Sequence, residues 1–351
     1  MSPSDLSIVV PVGGDAPAWP RAAASLAQLN PPPGEVIVVV DGGDARHVAR
    51  ASAIGATVIS IDVRAGPARA RNRGAHAASG DVLLFLDADV EVPSDLVARV
   101  TAAFSGVEPV TAVFGSYDDA PADPGLVSQY RNLLHHFVHQ RGSERASTFW
   151  AGCGAMRRRA FLEAGGFDER YATPSIEDIE LGTRLVAAGH AIRLVKTIQV
   201  RHLKRWTLGQ VLSTDLFARA VPWTGLMLDS GRLVNDLNVT MRNRMSVALA
   251  LGSLFALPLA VAWPGLAAFA LLSVAGAMAL NGALFRFLRE RRGLPFAVAA
   301  VPLHWVYLLV CGAGFGLGLA RHVVRRQGGR SRSNAPAATR GDGPAGRSRV
   351  G

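Results

Sequence analysis

Cysteine and charged residues are both scarce in this sequence, and each shortage narrows the classes of protein to which it could belong. Only Cys153 and Cys311 occur among the 351 residues, so no framework of disulfide bonds is implied. Charged residues make up 18% and hydrophobic residues 49%, which is an apolar composition for a soluble protein. The N-terminal segment MSPSDLSIVVPVGGD also lacks the basic residues that precede the apolar core of a signal peptide. We therefore expect the N-terminal domain to remain in the cytoplasm.

Charge is missing altogether from two long stretches, Val247 to Phe285 and Leu294 to Ala320. The first stretch is about twice the ~20 residues that a helix needs to cross a bilayer. It is interrupted at Trp263-Pro264-Gly265, which suits a tight hairpin between two helices. The predicted spans are residues 246–263, 265–285 and 295–320. This pattern indicates an integral protein of the cell membrane.

The net charge of +10 is concentrated at the C-terminus. Eight arginines follow Ala320 and only Asp342 opposes them, so most of the excess lies in residues 321–351. Because the segment is rich in Gly, Ser and Pro, we predict a disordered tail that is attracted to anionic membrane lipids. It has no Phe, Trp or Tyr between its arginines, which argues against binding to nucleic acid. A third span would export this tail against the positive-inside rule, and a bend around Gly312 to Gly318 would avoid that. We expect export, because the run appears continuous in sequence.

Short apolar runs alternate with helical patterns over the first 90 residues. The predicted strands are 6–12, 35–41, 57–61 and 82–87, and the predicted helices are 17–29, 44–54 and 66–80. This alternation indicates an α/β domain with a mainly parallel sheet, whose ligands bind beyond the carboxyl ends of the strands. Asp41 and the pair Asp87 and Asp89 fall at such ends. The turn PVGGDAP after the first strand is not GxGxxG, which argues against dinucleotide binding.

Asp87 and Asp89 are separated only by Ala88 at the end of the fourth predicted strand. Like charges at that distance repel each other, and each makes the other harder to ionise. The arrangement is favourable if a cation lies between them. Mg²⁺ is typically bound by one or two carboxylates together with substrate phosphate oxygens, so the pair suggests a metal-bound phosphate compound. The alternative is a solvated pair at the end of a strand.

Seven segments follow one another in an order that resembles the family 2 glycosyltransferases and their GT-A fold. They are SIVVPV, VIVVVDGGD, GPARARNRG, LLFLDADV, WAGCGAMRRRAFLEAGGFDE, SIEDIELGTRLVAAGH and VRHLKRW, which together cover residues 5 to 206. The resemblance implies a catalytic domain over residues 1–206, and the membrane helices at 246–320 fit membrane-anchored members. Residues 207–245 mix apolar and basic residues without a long apolar run, which indicates an interfacial amphipathic segment. It also implies inverting transfer of a sugar from a nucleotide-sugar, typically UDP-linked, to a lipid-linked or glycan acceptor.

The same resemblance suggests roles for the acidic residues. Asp41 would bind the nucleotide base, although an Asp that begins an Asp-Gly-Gly turn is the structural alternative. Asp89 would be the direct ligand of a divalent metal, Mg²⁺ or Mn²⁺, and Asp87 would lie nearer the ribose or the sugar. Asp178 would be the general base, with Glu177 in support, although both also suit the start of a helix.

Other residues are assigned by resemblance to the binding of the nucleotide-sugar or the metal. His202 would complete the metal site or contact the diphosphate, and an imidazole ligand would favour Mn²⁺ over Mg²⁺. Pro11 and Arg71 would contact the donor. Gly152 is equally compatible with a ligand-binding wall or a tight turn, and Arg205 is a candidate phosphate contact. The chain has PVGGD where many family members have PVYN, so the usual aromatic residue beside the nucleotide is missing.

Three other functions remain as alternatives. A GT-A protein that binds ligand without catalysis is opposed by the presence of all the acidic residues named above. A processive polysaccharide synthase would need more spans and a fuller QxxRW motif. A nucleotidyltransferase usually has a Gly- and Lys-rich loop near its start, and PVGGDAPAWPR has no Lys.

Overall fold

A computed structural model describes residues 1–106, 109–231 and 237–333, with side chains up to Gln327. Eight strands form the N-terminal domain: β1 (Leu6–Gly13), β2 (Glu35–Asp41), β3 (Thr57–Ile61), β4 (Val82–Leu86), β5 (Val90–Glu91), β6 (Ala112–Tyr117), β7 (Cys153–Arg157) and β8 (Ile192–His202). The first four agree with the predicted strands to within one residue at each end.

The strands form one mixed sheet in the order β3-β2-β1-β4-β7-β6-β8-β5. Strands β1 to β4 are parallel, whereas β7 is antiparallel to both of its neighbours, and β5 is antiparallel to β8. The α/β class with a GT-A-like sheet is therefore confirmed. In the β1–β2 pairing Gly13 lies opposite Asp41, which puts the carboxyl ends of these strands at the same edge.

Helices cover both faces of the sheet. Those of the N-terminal domain are α1 (Trp19–Leu26), α2 (Ala45–Ala53), α3 (Pro67–Ala77), α4 (Leu96–Phe104), α5 (Leu126–Arg141), α6 (Arg158–Glu163) and α7 (Glu177–Ala187). In β1, Ile8 and Val10 pack into a core with α1 and α4, while Val9 between them packs with α3 on the opposite face. Alternate side chains of a strand point to opposite faces, so burial on both sides explains the continuous apolar runs of the sequence.

The C-terminal third is entirely helical where it is described. Its longer helices are α8 (Leu208–Ser213), α9 (Val221–Ser230), α10 (Met241–Leu259), α11 (Gly265–Leu280), α12 (Gly282–Arg292) and α13 (Leu294–Ser333). A π-helical stretch, Thr214–Ala220, joins α8 directly to α9. Helices α10 and α11 are separated at residues 260–264, so the predicted break at Trp263-Pro264-Gly265 is confirmed. Residues 207–231 of the predicted interfacial segment form this α8–α9 rod.

The predicted span 265–285 falls on two helices that meet at a bend. The chain bends by 66° between α11 and α12, at Asn281. Leu284 and Leu288 of α12 are buried against α5 of the N-terminal domain, and Arg292 donates from Nε to Gln129 Oε1 at 2.8 Å. Arg291 and Arg292 are thus placed beside the N-terminal domain, where they avoid the cost of entering a bilayer.

Among the described residues, one helix is long enough and apolar enough in composition to span a membrane. That helix is α13, over Leu294–Gln327, and the bent pair α11–α12 is a second candidate if it is counted as one broken span. The predicted span 246–263 does not meet the same criteria, because α10 begins earlier and includes Arg242 and Arg244. Helix α13 also continues through Gly312 to Gly318 without a break and ends at Ser333.

The expected boundary of the C-terminal tail at residue 321 lies too early. The helical backbone of α13 continues to Ser333, and residues 334–351 lie outside the described residues. Helix α13 is supported there by the α8–α9 rod. A Cβ built on Gly318 would lie 2.6 Å from Thr224 Cβ, and His322 Nδ1 is 2.9 Å from Asp229 Oδ1. This packing explains why the helix extends beyond the apolar run.

Candidate active site

The side chain of Arg71 lies at the centre of the acidic residues. It is 5% exposed and is carried by α3, which begins directly after Gly66-Pro67. Its Nη2 donates to Asp87 Oδ1 at 2.6 Å, and its Nη1 donates to Glu177 Oε1 at 2.9 Å. The second oxygen of Glu177 accepts the backbone N–H of Ser175 at 2.9 Å. Arg71 therefore connects the end of β4 with the start of α7, and its guanidinium is engaged by protein carboxylates.

Asp41 positions the loop that leads into α3. Its carboxylate accepts the backbone N–H groups of Ala65 at 2.7 Å and Gly66 at 2.9 Å. Gly66 adopts a φ of 89°, and a Cβ there would clash with the backbone of Ala172. Asp41 thus holds the turn at Gly66 in place through these two hydrogen bonds. Each carboxylate oxygen keeps further accepting capacity, which a nucleotide base could use.

Asp89 and His202 face each other because β5 pairs with β8, with Val90 opposite His202. Asp89 Oδ2 lies 3.4 Å from His202 Nε2. The other ring nitrogen, Nδ1, is 2.6 Å from the amide oxygen of Asn132, which can only accept, so Nδ1 carries a proton. In the neutral ring the lone pair of Nε2 then points towards the carboxylate. Two electron-pair donors at this separation suit a divalent cation, so these two residues fit a metal.

The two aspartates after β4 differ in their protonation equilibria. Burial raises the pKa of Asp87 and, helped by the negative charge of Asp89, outweighs the opposing effect of Arg71. Burial also disfavours the charged form of Asp89, but positive charge at the position of a protonated His202, together with Lys204, outweighs burial and lowers the pKa of Asp89. Asp89 is therefore the carboxylate that is more readily charged, as a metal ligand has to be.

No three acidic, His or Cys side chains within the described part of the chain come together as a complete metal-binding group. Of the residues predicted to bind metal, Asp89 and His202 are adjacent, whereas Asp87 is held by Arg71. A divalent cation here would depend on a substrate diphosphate for its remaining ligands, as Mg²⁺ commonly does.

Asp178 lies in the first turn of α7, next to Glu177. Its Oδ2 accepts the backbone N–H of Ala151 at 3.0 Å, and its Oδ1 accepts that of Ile179 at 2.8 Å. Burial, together with the negative charge of Glu177, raises the pKa of Asp178 to about 6. A carboxylate with such a pKa is ionised at neutral pH and yet basic enough to accept a proton in a reaction.

The other residues assigned to the donor site lie in different surroundings. Pro11 is half-buried in β1 opposite Val39, next to the edge where Asp41 lies. Gly152 is buried, and a Cβ on it would meet the indole ring of Trp150, which fits a tight turn. The side chain of Arg205 is 83% exposed and reaches only to 3.9 Å from Asp123.

An aromatic cluster that the sequence analysis missed lies beside the metal-binding pair. Tyr117, at the end of β6, stacks on His202 with ring centroids 4.1 Å apart and an interplanar angle of 11°. Trp150 makes an edge contact with Tyr117, and His135 of α5 packs against both rings. The position of Tyr117 at the carboxyl end of a buried strand was the sequence feature that could have revealed it.

Arg219, on the π-helical stretch, was also missed. Burial raises the pKa of Tyr117, and the positive charge of Arg219 opposes that rise. Burial lowers the pKa of Arg219, and the negative charge of Asp178 opposes that fall. The stretch is attached to the loop before α7, because Ser175 Oγ donates to the carbonyl oxygen of Ala218 at 2.9 Å. The sequence pattern suggested only an interfacial position for this segment. The structure brings it to the same side of the domain as the start of α7.

Comparison with known proteins agrees with this arrangement. The family described as "Glycosyl transferase family 2" matches residues 7–166, which include Asp41, Arg71, Asp87 and Asp89. Residues 7–166 of this chain therefore match a family 2 glycosyltransferase domain. The match ends before Glu177, Asp178 and His202, so the placement of those residues beside the site comes from the geometry.

Two curated relatives are glycosyltransferases by name. The chain is 28% identical over 233 residues to the pre-mycofactocin glycosyltransferase of Mycobacterium tuberculosis, covering 61% of this chain and 46% of the relative. It is 29% identical over 222 residues to the validoxylamine A glucosyltransferase of Streptomyces hygroscopicus subsp. limoneus, covering 52% of this chain and 48% of the relative. The chain therefore spans slightly less than half the length of these relatives.

Among solved structures, a mannosyltransferase from Pyrobaculum calidifontis, in complex with GDP-Man and Mn²⁺, has the same fold. The TM-score is 0.54 at 16% sequence identity, and the match covers 92% of this chain and 88% of the other. The similarity thus extends beyond the GT-A domain into the C-terminal helices.

Proposed function

We propose that this chain is an inverting glycosyltransferase that transfers a sugar from a nucleotide-sugar, typically UDP-linked, to a lipid-linked or glycan acceptor at the cell membrane. The observation that carries the proposal is the bridge from Asp87 through Arg71 to Glu177, which brings the acidic pair after β4 together with the start of α7. Asp178 is the next residue of α7. This proximity supports a single site for donor binding and proton acceptance.

The donor diphosphate would bind at the Asp89–His202 pair through a divalent metal, Mg²⁺ or Mn²⁺. When bound, such a cation neutralises negative charge on the leaving diphosphate. Asp89 supplies a charged oxygen and His202 a ring nitrogen, and the nitrogen favours Mn²⁺. Asn132 fixes the tautomer and orientation of His202, and Arg71 holds Asp87 where it would lie nearer the ribose or the sugar.

Asp178 would accept the proton of the acceptor hydroxyl while that oxygen attacks the anomeric carbon from the face opposite the diphosphate. The two backbone N–H groups that bind its carboxylate hold it in a fixed orientation. Each oxygen still has a lone pair for the incoming proton. If the acceptor group is instead a phosphate, no base is needed, and Asp178 would serve to orient it.

Attachment to the membrane would come from the apolar surface of the C-terminal helices. At the tip of the α10–α11 hairpin, Val261 is 91% exposed and Trp263 is 61% exposed. Helix α13 exposes further large apolar residues, among them Phe315 and Val324. Exposed apolar surface of this extent is typical of contact with a membrane or partner. We therefore place the catalytic domain at the cytoplasmic face of the cell membrane.

A donor screen on the full-length purified chain tests the proposal. Thermal stability would be measured with UDP-, GDP- and dTDP-sugars, each with Mn²⁺, with Mg²⁺ and with EDTA. We expect stabilisation by one nucleotide class in the presence of metal, followed by release of its diphosphate when acceptor-containing membrane extract is added. Binding without release of nucleotide or transfer of sugar, in the wild type as in Asp178→Asn, would instead identify a non-catalytic binding protein.

A further inference from the structure

A cavity of about 430 Å³ lies between the catalytic domain and the apolar helices. Its walls come from the C-terminal half of α5, the start of α10, the junction of α11 with α12 and the middle of α13. The volume is within the range of ligand-binding cavities. The active-site cluster uses a different face of α5, because His135 and His139 pack against Trp150, whereas Phe137 and Arg141 line the cavity.

His304 of α13 is the buried polar group of this cavity. The residue is 2% exposed, and its Nδ1 lies 2.9 Å from the hydroxyl of Tyr130. Its Nε2 has no hydrogen-bond partner in the described part of the chain. If the hydroxyl donates to Nδ1, the neutral ring carries its proton at Nε2 and has a free donor. An unsatisfied buried donor is unfavourable, so this donor points to an acceptor on a ligand.

Two arginines on the same cavity supply positive charge. Arg141 ends α5 and Arg242 lies in the first turn of α10. Neither has a carboxylate within ion-pair distance among the described residues, and Arg141 packs instead over the ring of Phe137 at 5.3 Å. The remaining wall is mixed, with apolar residues such as Leu284 and Leu308 beside polar ones such as Asn243 and Asn281. Two guanidinium groups on a cavity that also has apolar walls complement a phosphate attached to a hydrocarbon chain.

The cavity also lies at the level where lipid phosphates would be. It is at the open end of the α10–α11 hairpin, and the exposed apolar tip is at the other end. Helix α10 has 19 residues, which corresponds to about 28 Å, close to the ~30 Å thickness of the hydrocarbon core. A hairpin inserted tip first would therefore hold Arg242 at the level of the headgroups.

From these features we infer that the cavity binds the phosphate headgroup of an anionic membrane phospholipid, at a site separate from the sugar-transfer site. Arg141 and Arg242 contact the phosphate, and His304 donates to an oxygen of the headgroup. The lipid chain follows the apolar wall towards the hairpin tip. This site stabilises the junction between α5 and the membrane helices, and it does not depend on the identity of the donor or the acceptor.

The experiment compares the full-length chain in nanodiscs of phosphatidylcholine with nanodiscs that also contain phosphatidylglycerol. The anionic lipid should raise the melting temperature of the wild type and of the control Arg73→Ala, which removes an exposed arginine of α3 in the N-terminal domain. In Arg242→Ala and His304→Phe the lipid content needed for half of this rise should increase roughly tenfold, which corresponds to about 1.4 kcal/mol of binding free energy. Arg242→Lys keeps the charge and should retain most of the response.

Two outcomes would overturn the inference. One is an equal response to phosphatidylglycerol in wild type, Arg242→Ala and His304→Phe. The other is full stabilisation by inorganic phosphate in phosphatidylcholine nanodiscs, which would identify a site for free phosphate. If Arg242→Ala does not fold, Arg242→Lys and Arg242→Gln supply the comparison. Nucleotide-sugar binding measured on the same samples should be unchanged, so a failure of either proposal can be told apart from a failure of the other.

Discussion

Nη2 of Arg71 lies 2.6 Å from Oδ1 of Asp87, and both side chains are held at the carboxyl end of β4. The same guanidinium also lies 2.9 Å from the carboxylate of Glu177, a residue more than 100 positions later in the chain. The two acidic motifs that the sequence shows as separate are thus joined through one buried cation. The arginine that the motif suggested as a ligand contact is, in the fold, the element that positions the site.

Replacement of Arg71 should destabilise the protein strongly. In Arg71→Met the buried carboxylate of Glu177 loses its cation, and breaking a buried ion pair from one side costs about 3–5 kcal/mol. We expect the melting temperature to fall by roughly 10 °C. Arg73→Met, an exposed position on the same helix, is the matched control and should change it little. Adding Glu177→Gln to Arg71→Met should recover part of the loss, and no recovery would show that the charge pairing is unimportant.

The pH dependence of catalysis should follow Asp178. Its raised pKa of about 6 means that the base is protonated, and inactive, below that pH. For a hydroxyl acceptor, kcat/KM should therefore fall about tenfold per pH unit below pH 6. Asp178→Asn should lower kcat by at least about 100-fold and leave donor binding near normal, because the amide cannot accept a proton. Glu163→Gln, an exposed position, is the control. A normal kcat with weakened donor binding in Asp178→Asn would mean that the residue acts only in the structure of α7.

Substitutions of Asp89 and His202 should change the metal dependence of the reaction in different ways. Asp89→Ala should abolish transfer and donor-linked Mn²⁺ binding while the fold is retained, because the diphosphate would otherwise meet an acidic site. His202→Gln should keep activity but shift the preference from Mn²⁺ towards Mg²⁺, since the nitrogen ligand is lost. Titration calorimetry with each metal and donor measures both effects, and Asp123→Asn serves as control. Donor affinity that is the same with EDTA and in Asp89→Ala would exclude the metal.

Close packing of α7 makes Gly182 sensitive to substitution. A Cβ at this position would collide with the backbone of Thr148 and Phe149, just before the loop whose Ala151 binds Asp178. Gly182→Ala should therefore displace α7 and reduce both stability and kcat. Gly209→Ala in α8 is the control, since nothing lies within 4 Å of the added Cβ. The control should be neutral or stabilising by up to about 1 kcal/mol, because alanine restricts the unfolded chain. Equal effects at the two positions would contradict this account.

The C-terminal tail should lie on the same side of the membrane as the catalytic domain. His322, near the end of α13, is paired with Asp229. Leu237, eight residues after Asp229, packs against Gly142 of the N-terminal domain. A chain of that length reaches on the order of 28 Å, less than the ~40 Å of a whole bilayer. The export expected from the apolar run of residues 295–320 is therefore disfavoured. Cysteine placed at Ser333 should react with an impermeant reagent only after intact cells are opened, and labelling before that would refute the prediction.

The parts that could be predicted from sequence are those determined by local pattern. The strands β1 to β4 and the hairpin break before Gly265 follow from apolar runs and from turn residues, which act over a few positions. The bend at Asn281 could not be predicted, since it depends on the burial of Leu284 and Leu288 against α5. The partnership of Arg71 with Glu177 also depends on tertiary contact, which no short motif encodes.

The seven-residue π-helical stretch Thr214–Ala220 has a geometric consequence for the α8–α9 rod. Before it ends, Asp215 binds Arg131 of the catalytic domain at 2.6 Å, and after it Thr224 meets Gly318 of α13. In a regular α-helix each residue turns the direction of its side chain by about 100°. A π turn is wider, so each of its residues turns the side-chain direction by a smaller angle. The stretch therefore sets the angle around the rod between the surface that contacts the catalytic domain and the surface that contacts α13. Deleting a single residue here would rotate one docking surface away from its partner while leaving every side chain of both intact.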